Sequence, residues 1–380
     1  MSNISAKPSP HYNFLFFKKK YKNNFSRKFI FFQNGRQAML FGIEKLKLDK
    51  KKTILIPGYI CYSFVEPLIK KGFKVEYYDV NENFSLDLKY FKKVVKNKNI
   101  SALVVVHYFG FSIDIQEIYN FCNSINIELI EDYCHSFLPR IFSKNNKTLN
   151  TTKIYSFRKT IPITDGGAIE NRNFRHTNIS YNNLLSPAEF VFLVMRYCES
   201  LINRIAIVNL YCKSFQSFKK KIKNIKSIFN KEIFHGFEII SRNPSYMLGS
   251  YIKADKYLNK IFYKRRENYN FLFKEIKKLD FKIVFNKLSD HSAPQFFPIL
   301  LNKENKLLFE YLNNKGIETI KWPDHEIPKI VLRSKKKFKN SNFFNENIIL
   351  IPVHQSLSKN KCKRIVEVLK SFLDNDHLSK

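Results

Sequence analysis

Two carboxylates stand together at Glu131-Asp132, imidazoles at His107 and His135, and a lysine, Lys159, next to Arg158. An amine beside a second cation and among aromatic side chains is suited to forming a Schiff base with a carbonyl compound. Each residue alone has a plainer reading. Lys159 is then a solvated charge in a lysine-rich chain, Glu131-Asp132 a capped strand end, and His107 a packing residue. The chemistry follows only if the chain brings these groups together.

The elements that would do so are legible. "TILIP" (53–57), "ALVVVHYFG" (102–110) and "IELIED" (127–132) are continuous apolar, β-branched runs that end in glycine or polar turns. Such runs read as strands buried on both faces, as in a parallel sheet. Between them, "DIQEIYNFCNSI" (114–125) sets Ile115, Ile118, Tyr119, Cys122 and Ile125 on one helical face, with Asp114 and Glu117 as a capping box. Strand, helix and strand at this spacing predict an α/β region with a mostly parallel sheet. In such sheets ligands gather beyond the carboxyl ends of the strands. Those ends carry Gly58-Tyr59, His107, Glu131-Asp132, His135 and Ser156–Lys159, so the carboxylate, imidazoles and lysine are expected to converge. Glycine is scarce, ten in 380 residues against the usual ~7%, so those retained read as positions of special geometry. Further on, the pattern predicts a long cationic helix from Met247 to Leu279, a strand at "QFFPILL", a helix near 303–314 stopped by Gly316 and a last helix near 360–373.

Composition sets the class. With 44% hydrophobic and 16% aromatic residues the chain is globular, and its length suits two domains. The net charge of +34 would suit a polyanion partner. Yet the lysines are dispersed, and Lys, Asn, Ile, Phe and Tyr are residues of A/T-rich codons, so we expect no specific nucleic-acid site. Six cysteines without a C-x-x-C pair argue against zinc and a disulfide framework and fit a reducing cytoplasm. No signal peptide is read at the N-terminus, and no stretch reaches the ~18 apolar residues of a membrane span. The segment from Phe190 to Leu210, interrupted by Arg196, Glu199 and Arg204, is expected to be a buried amphipathic helix.

"NGRQAMLFGI" (34–43), "ILIPGYICYSFVEPLIKKGFKVEYYDV" (54–80), "VVVHYFGFSIDIQEI" (104–118), "IEDYCHSF" (130–137) and "YSFRKTIPITDGGAIE" (155–170) occur in that order. Together they resemble the pyridoxal-phosphate-dependent sugar aminotransferases of the DegT/DnrJ/EryC1/StrS family, over about residues 30–370. "YKRRENY" (263–269), "FFPILL" (296–301) and "LIPVHQSLS" (350–358) are weaker echoes. The resemblance implies that Lys159 binds the cofactor covalently and later shuttles the proton, and that Asp132 pairs with the pyridine nitrogen. It implies that His135 contacts the ring hydroxyl or face, and that Ser156 with the turn at Gly35 and Arg36 holds the phosphate through a hydroxyl and backbone N–H groups. "SRNPSYM" (241–247), with Asn243, stands nearest the family's G-x-N-x-R element, and Arg158 replaces the threonine common before the lysine.

What the resemblance implies overall is a fold-type-I α/β enzyme. A basic arm (1–29) would precede a large cofactor-binding domain with a mostly parallel sheet (30–250), and a connecting helix and small α+β domain (251–380) would follow. The implied reaction moves an amino group, with glutamate as donor, to a keto sugar, nucleotide-linked, in surface-glycan synthesis by a cytoplasmic homodimer. Alternatives are a different acceptor or elimination chemistry, or a basic binding protein on this scaffold. Dehydratase relatives carry histidine in place of the lysine, so Lys159 favours transamination over elimination.

Overall fold

A computed structural model describes residues 3–9, 29–136, 149–174 apart from 165, 186–195 apart from 188 and 192, and 245–376 apart from 254, 291, 303–305 and 324–326. The first strands and helices alternate: β1 (Ile30–Phe32), α1 (Gly35–Lys45), β2 (Thr53–Pro57), α2 (Tyr62–Lys70), β3 (Lys74–Tyr78), α3 (Leu88–Asn97), β4 (Ile100–Val106), α4 (Gln116–Ser124), β5 (Glu128–Asp132), β6 (Thr152–Ser156) and β7 (Gly167–Glu170). They build one seven-stranded sheet in the order β1-β7-β6-β5-β4-β2-β3. The run β3-β2-β4-β5-β6 is parallel throughout, and β7 lies antiparallel to both β6 and β1. The expected α/β fold with a mostly parallel sheet is present. Both faces of its central strands are covered, which is why β2 and β6 are buried at every position and lack polar alternation.

The C-terminal half holds α5 (Tyr246–Lys253), α6 (Asp255–Ile276), β8 (Lys282–Ile283), β9 (Phe296–Leu300), α7 (Leu308–Asn314), α8 (Lys329–Arg333), α9 (Lys339–Asn347), β10 (Ile348–Pro352) and α10 (Lys359–Asp376). The three strands form a second, antiparallel sheet in the order β10-β9-β8. Residues 3–9 fasten to this half. Ile4 bridges Ile317, the Ala6 N–H donates to Glu318 Oε2 (2.9 Å), and His354 Nε2 meets the Ser5 carbonyl (2.8 Å).

One local expectation needs correction. The predicted capping box at Asp114 and Glu117 does not form: α4 starts at Gln116, Ile115 holds the cap position, and Asp114 Oδ1 accepts the Gln116 N–H (3.1 Å) in a local turn. The pull of Ile115 into the core sets that start. The long helix expected from Met247 to Leu279 is helical over Tyr246–Lys253 (α5) and Asp255–Ile276 (α6), with residue 254 outside the described residues. Met247, Leu248 and Tyr251 of α5 and Leu258, Ile261 and Phe262 of α6 are buried in one cluster with Phe31, Tyr155 and Phe157 of the large sheet. Most of the apolar segment between Phe190 and Leu210, and Asn243 with the element around it, lies outside the described residues.

Candidate active site

Successive side chains of a strand point to opposite faces, so the neighbours Glu131 and Asp132 must diverge. They do. Glu131 faces a buried polar cluster: its Oε2 meets His107 Nε2 (3.0 Å), its Oε1 accepts the Thr151 hydroxyl, and the Lys153 ammonium lies 3.6 Å away. Burial alone would raise this carboxyl, but the hydrogen bond and charge of His107, helped by Lys153 and Thr151, outweigh it and hold it at about 2. His107 is thus a packing and hydrogen-bonding residue, stacked 3.9 Å from the Tyr133 ring.

Asp132 turns to the other face, where α1 packs. In the sheet it stands opposite Val106 of β4 and Ile154 of β6, and Ser156 lies two residues further on the same face. Its Oδ1 accepts the Cys134 N–H (2.8 Å), which folds the chain sharply after β5. Burial and the Asp132 carboxylate push the Cys134 thiol up, while Lys159 and Arg158 pull it down. No lysine or arginine forms an ion pair with Asp132 among the described residues. A buried carboxylate without a counter-cation is costly, so this one fits a cationic ligand group.

His135 follows in the same turn. Its ring lies parallel to Phe109 (5.9 Å, 10°) and takes the edge of Trp322 (4.9 Å, 85°). The Phe109 N–H donates to Nδ1 (3.4 Å), which puts the proton of the neutral ring on Nε2. Burial, reinforced by the Lys159 charge, keeps its pKa well below the ordinary histidine value.

Lys159 closes a single 3-10 turn, Phe157–Lys159, directly after β6. The turn is pinned by the Phe157 N–H to the Gly166 carbonyl (2.8 Å) and the Thr160 N–H to the Phe157 carbonyl (3.0 Å). Among the described residues the Lys159 ammonium makes no hydrogen bond or ion pair. The Gly166-Gly167 pair brings the start of α1 against this strand. A side chain at Gly167 would meet the Asn34 backbone at 2.1 Å, and the Gly166 N–H donates to the Gln33 carbonyl (2.8 Å).

Where α1 begins, Asn34 caps the helix by accepting the Gln37 N–H (3.1 Å). Gly35 faces the sheet so closely that a Cβ there would sit 3.2 Å from Cys134 Sγ and 3.3 Å from Ser156 Cβ. Ser156 is a buried residue whose hydroxyl makes no hydrogen bond among the described residues. Arg36 keeps its backbone in this first turn while its Nε reaches the Ser63 carbonyl of α2 (3.2 Å). A helix N-terminus with a free hydroxyl beside it is a ready anion site.

All six expected residues therefore lie around one place: Gly35, Arg36 and Ser156 at the helix start, Asp132 and His135 at the end of β5, Lys159 beyond β6. The donor set matches pyridoxal phosphate, which needs an amine, a carboxylate for its ring nitrogen, a flat neighbour and a phosphate cup. Trp322, the chain's single tryptophan, edges onto His135, and its carbonyl takes the Tyr59 hydroxyl (2.8 Å). Tyr59 is fully buried there, whereas Tyr62 is exposed.

Comparison with known proteins bears on the fold and the family. The model of the DegT/DnrJ/EryC1/StrS aminotransferase family matches residues 18–179 and 255–370. The chain is 25% identical over 341 residues to a UDP-4-amino-4,6-dideoxy-N-acetyl-beta-L-altrosamine transaminase of Campylobacter jejuni, covering 86% of this chain and 80% of that protein. Among solved structures it superposes on Helicobacter pylori PseC, an aminotransferase involved in the biosynthesis of pseudoaminic acid, with a TM-score of 0.61 at 17% identity, over 91% of this chain and 87% of the other. NtdA from Bacillus subtilis, solved with bound cofactor PMP, gives a TM-score of 0.63 at 16% identity, over 92% and 74%. Matched across both halves by this family model, the chain belongs to the DegT/DnrJ/EryC1/StrS family of pyridoxal-phosphate-dependent aminotransferases.

Proposed function

We propose that this aminotransferase moves an amino group from glutamate to the keto group of a nucleotide-linked sugar, in the cytoplasm, for surface-glycan synthesis. The observation that carries the reading is the pairing of a buried, uncompensated Asp132 with an unpartnered Lys159 amine at neighbouring strand ends. The sugar as acceptor draws on the relatives, among them the UDP-linked altrosamine transaminase and a GDP-perosamine synthase from Escherichia coli, 23% identical over 229 residues. Free thiols at Cys61, Cys122, Cys134 and Cys362 suit a reducing compartment.

When bound, pyridoxal phosphate supplies an electron sink for the carbanion that transamination requires. Lys159 holds the cofactor through Nζ and afterwards moves the proton. Asp132 keeps the pyridine nitrogen protonated, and the neutral His135 ring packs beside the cofactor. Ser156 and the N–H groups at Gly35 and Arg36 bind the phosphate. Residues 30–250 act as the cofactor-binding unit and 251–380 as the unit that closes over it, with 1–29 as a basic arm. One chain offers a dianion few donors, so we place the working enzyme as a homodimer, with a dimer mass in sedimentation as the expected result.

The deciding experiment supplies purified protein, pyridoxal phosphate and glutamate with a panel of UDP- and GDP-linked keto sugars. Sustained formation of 2-oxoglutarate, beyond the stoichiometric amount of the donor half-reaction, only when a keto sugar is present, with a matching amino sugar, is expected. Turnover with keto acids and none with any sugar nucleotide would overturn the acceptor assignment.

A further inference from the structure

Three stretches of the C-terminal half have no part in the site so far: those around Arg265, Gln295 and Gln355. They meet at the backbone of the Lys159 turn. Arg265, on α6, is only 1% exposed. Its Nε donates to Gln355 Oε1 (2.9 Å), its Nη1 to the carbonyls of Pro294 (3.0 Å) and Gln295 (3.3 Å), and its Nη2 to the Thr160 carbonyl (2.8 Å). The two glutamines complete the ring. Gln295 Nε2 donates to the Lys159 carbonyl (3.2 Å) and Gln355 Nε2 to the Thr160 carbonyl (3.5 Å).

No carboxylate pairs with Arg265 among the described residues. Burying a cation against neutral acceptors alone is costly, so its presence calls for a reason that packing does not give. A guanidinium holds a rigid planar fork of donors that lysine cannot copy. Here that fork ties α6, the lead-in to β9 and the loop after β10 to one carbonyl, the one immediately following Lys159. Fixing the carbonyls of residues 159 and 160 fixes the backbone torsions from which the Lys159 side chain departs.

We infer that Arg265, with Gln295 and Gln355, forms a positioning clamp that aims the Lys159 amine at the cofactor. This rests on the reading of Lys159 as the cofactor-bearing residue. Through the clamp the C-terminal half sets the reactivity of a lysine that belongs to the large sheet.

The test compares wild type, Gln295→Leu and Arg265→Lys, each incubated with pyridoxal phosphate. Three quantities are read: the rate at which borohydride fixes cofactor to Lys159 by peptide mapping, the pH midpoint of the yellow absorbance band, and the melting temperature without cofactor. Gln295→Leu removes one neutral donor, so fixation at Lys159 should slow by about 10-fold and the band midpoint should move. Arg265→Lys should do more and let other lysines compete for cofactor. Folded variants with wild-type fixation and midpoint overturn the inference, whatever their melting temperature. If Arg265→Lys does not fold, Gln295→Leu decides by the same two readouts. A wild type that carries no cofactor on Lys159 removes the reading of the site, and the clamp with it.

Discussion

Asp132 and Glu131 are adjacent carboxylates with separate tasks, and substitution should divide them cleanly. Asp132→Asn keeps the shape and the Cys134 contact but removes the charge that holds the ring nitrogen protonated. Turnover should fall on the order of 10²–10³-fold, with cofactor binding less affected because the phosphate cup and Lys159 remain. Glu131→Gln should spare the chemistry and cost stability, on the order of 3 kcal/mol, because it leaves Lys153 and His107 around a neutral group. Steady-state kinetics and urea unfolding on both variants check this; a crippled but stable Glu131→Gln would reverse the two faces of β5. The same residues set an acid dependence. In the native state the Glu131 carboxyl is lowered from 4.5 to about 2, so its contribution is full above the ordinary value and fades as pH falls towards 2. His135 stays neutral where an unfolded histidine would take a proton, so stability also drops as pH falls below about 6.5. Melting temperature should therefore decline on acidification from neutral pH, and His135→Asn should flatten the first part of that decline.

Secondary-structure elements meet at Gly110. Its φ is +93°, and an added Cβ would lie 2.2 Å from the Ala293 carbonyl and 2.6 Å from the Gln295 nitrogen, the segment whose N–H donates to the Phe109 carbonyl (2.7 Å). Gly110→Ala should cost more than ~3 kcal/mol and weaken cofactor binding, since the chain carrying Gln295 must move. Gly72 also has a positive φ (+82°) but faces open space, so Gly72→Ala should cost only about 1 kcal/mol. Urea midpoints for the two variants should differ accordingly. Elements of this kind were legible in the sequence to the extent that burial writes itself into local pattern. "TILIP" and "IELIED" are unbroken apolar runs because both faces are covered, and Gly166-Gly167 stood out because glycine is scarce. The short strands β1 and β7 gave no such signal, since three or four residues cannot show a period. Ile115 overrode the polar cap read at Asp114. Nor could the sequence place Arg265, Gln295 and Gln355 on the Lys159 turn, because the contacts span 105 to 195 residues.

For the molecule as a whole, one apolar cluster runs from Ile54 and Val104 of the large sheet to Ile299 and Leu350 of the small one, so the two sheets share a core. Residues 3–9 are bound into the C-terminal half, far in sequence from their contacts at Glu318 and His354. No helix among the described residues is long and apolar enough to cross a membrane. The charge of +34 comes from lysines and arginines dispersed along the sequence. Such a chain should bind duplex DNA weakly, without sequence preference, and with a steep loss as salt rises. Gel retardation at several salt concentrations checks this. Submicromolar, sequence-selective binding near physiological salt would instead point to a nucleic-acid function.

Everything assigned to the site depends on where the cofactor attaches. The chain offers 66 lysines and arginines, so attachment at a defined position is a demanding test. Purified protein incubated with pyridoxal phosphate, reduced with borohydride and mapped by peptide mass should carry one cofactor per chain, on Lys159. Cofactor fixed to another lysine, spread over many, or absent altogether would contradict the arrangement of Lys159, Asp132 and the cup at Gly35 and Ser156 described above.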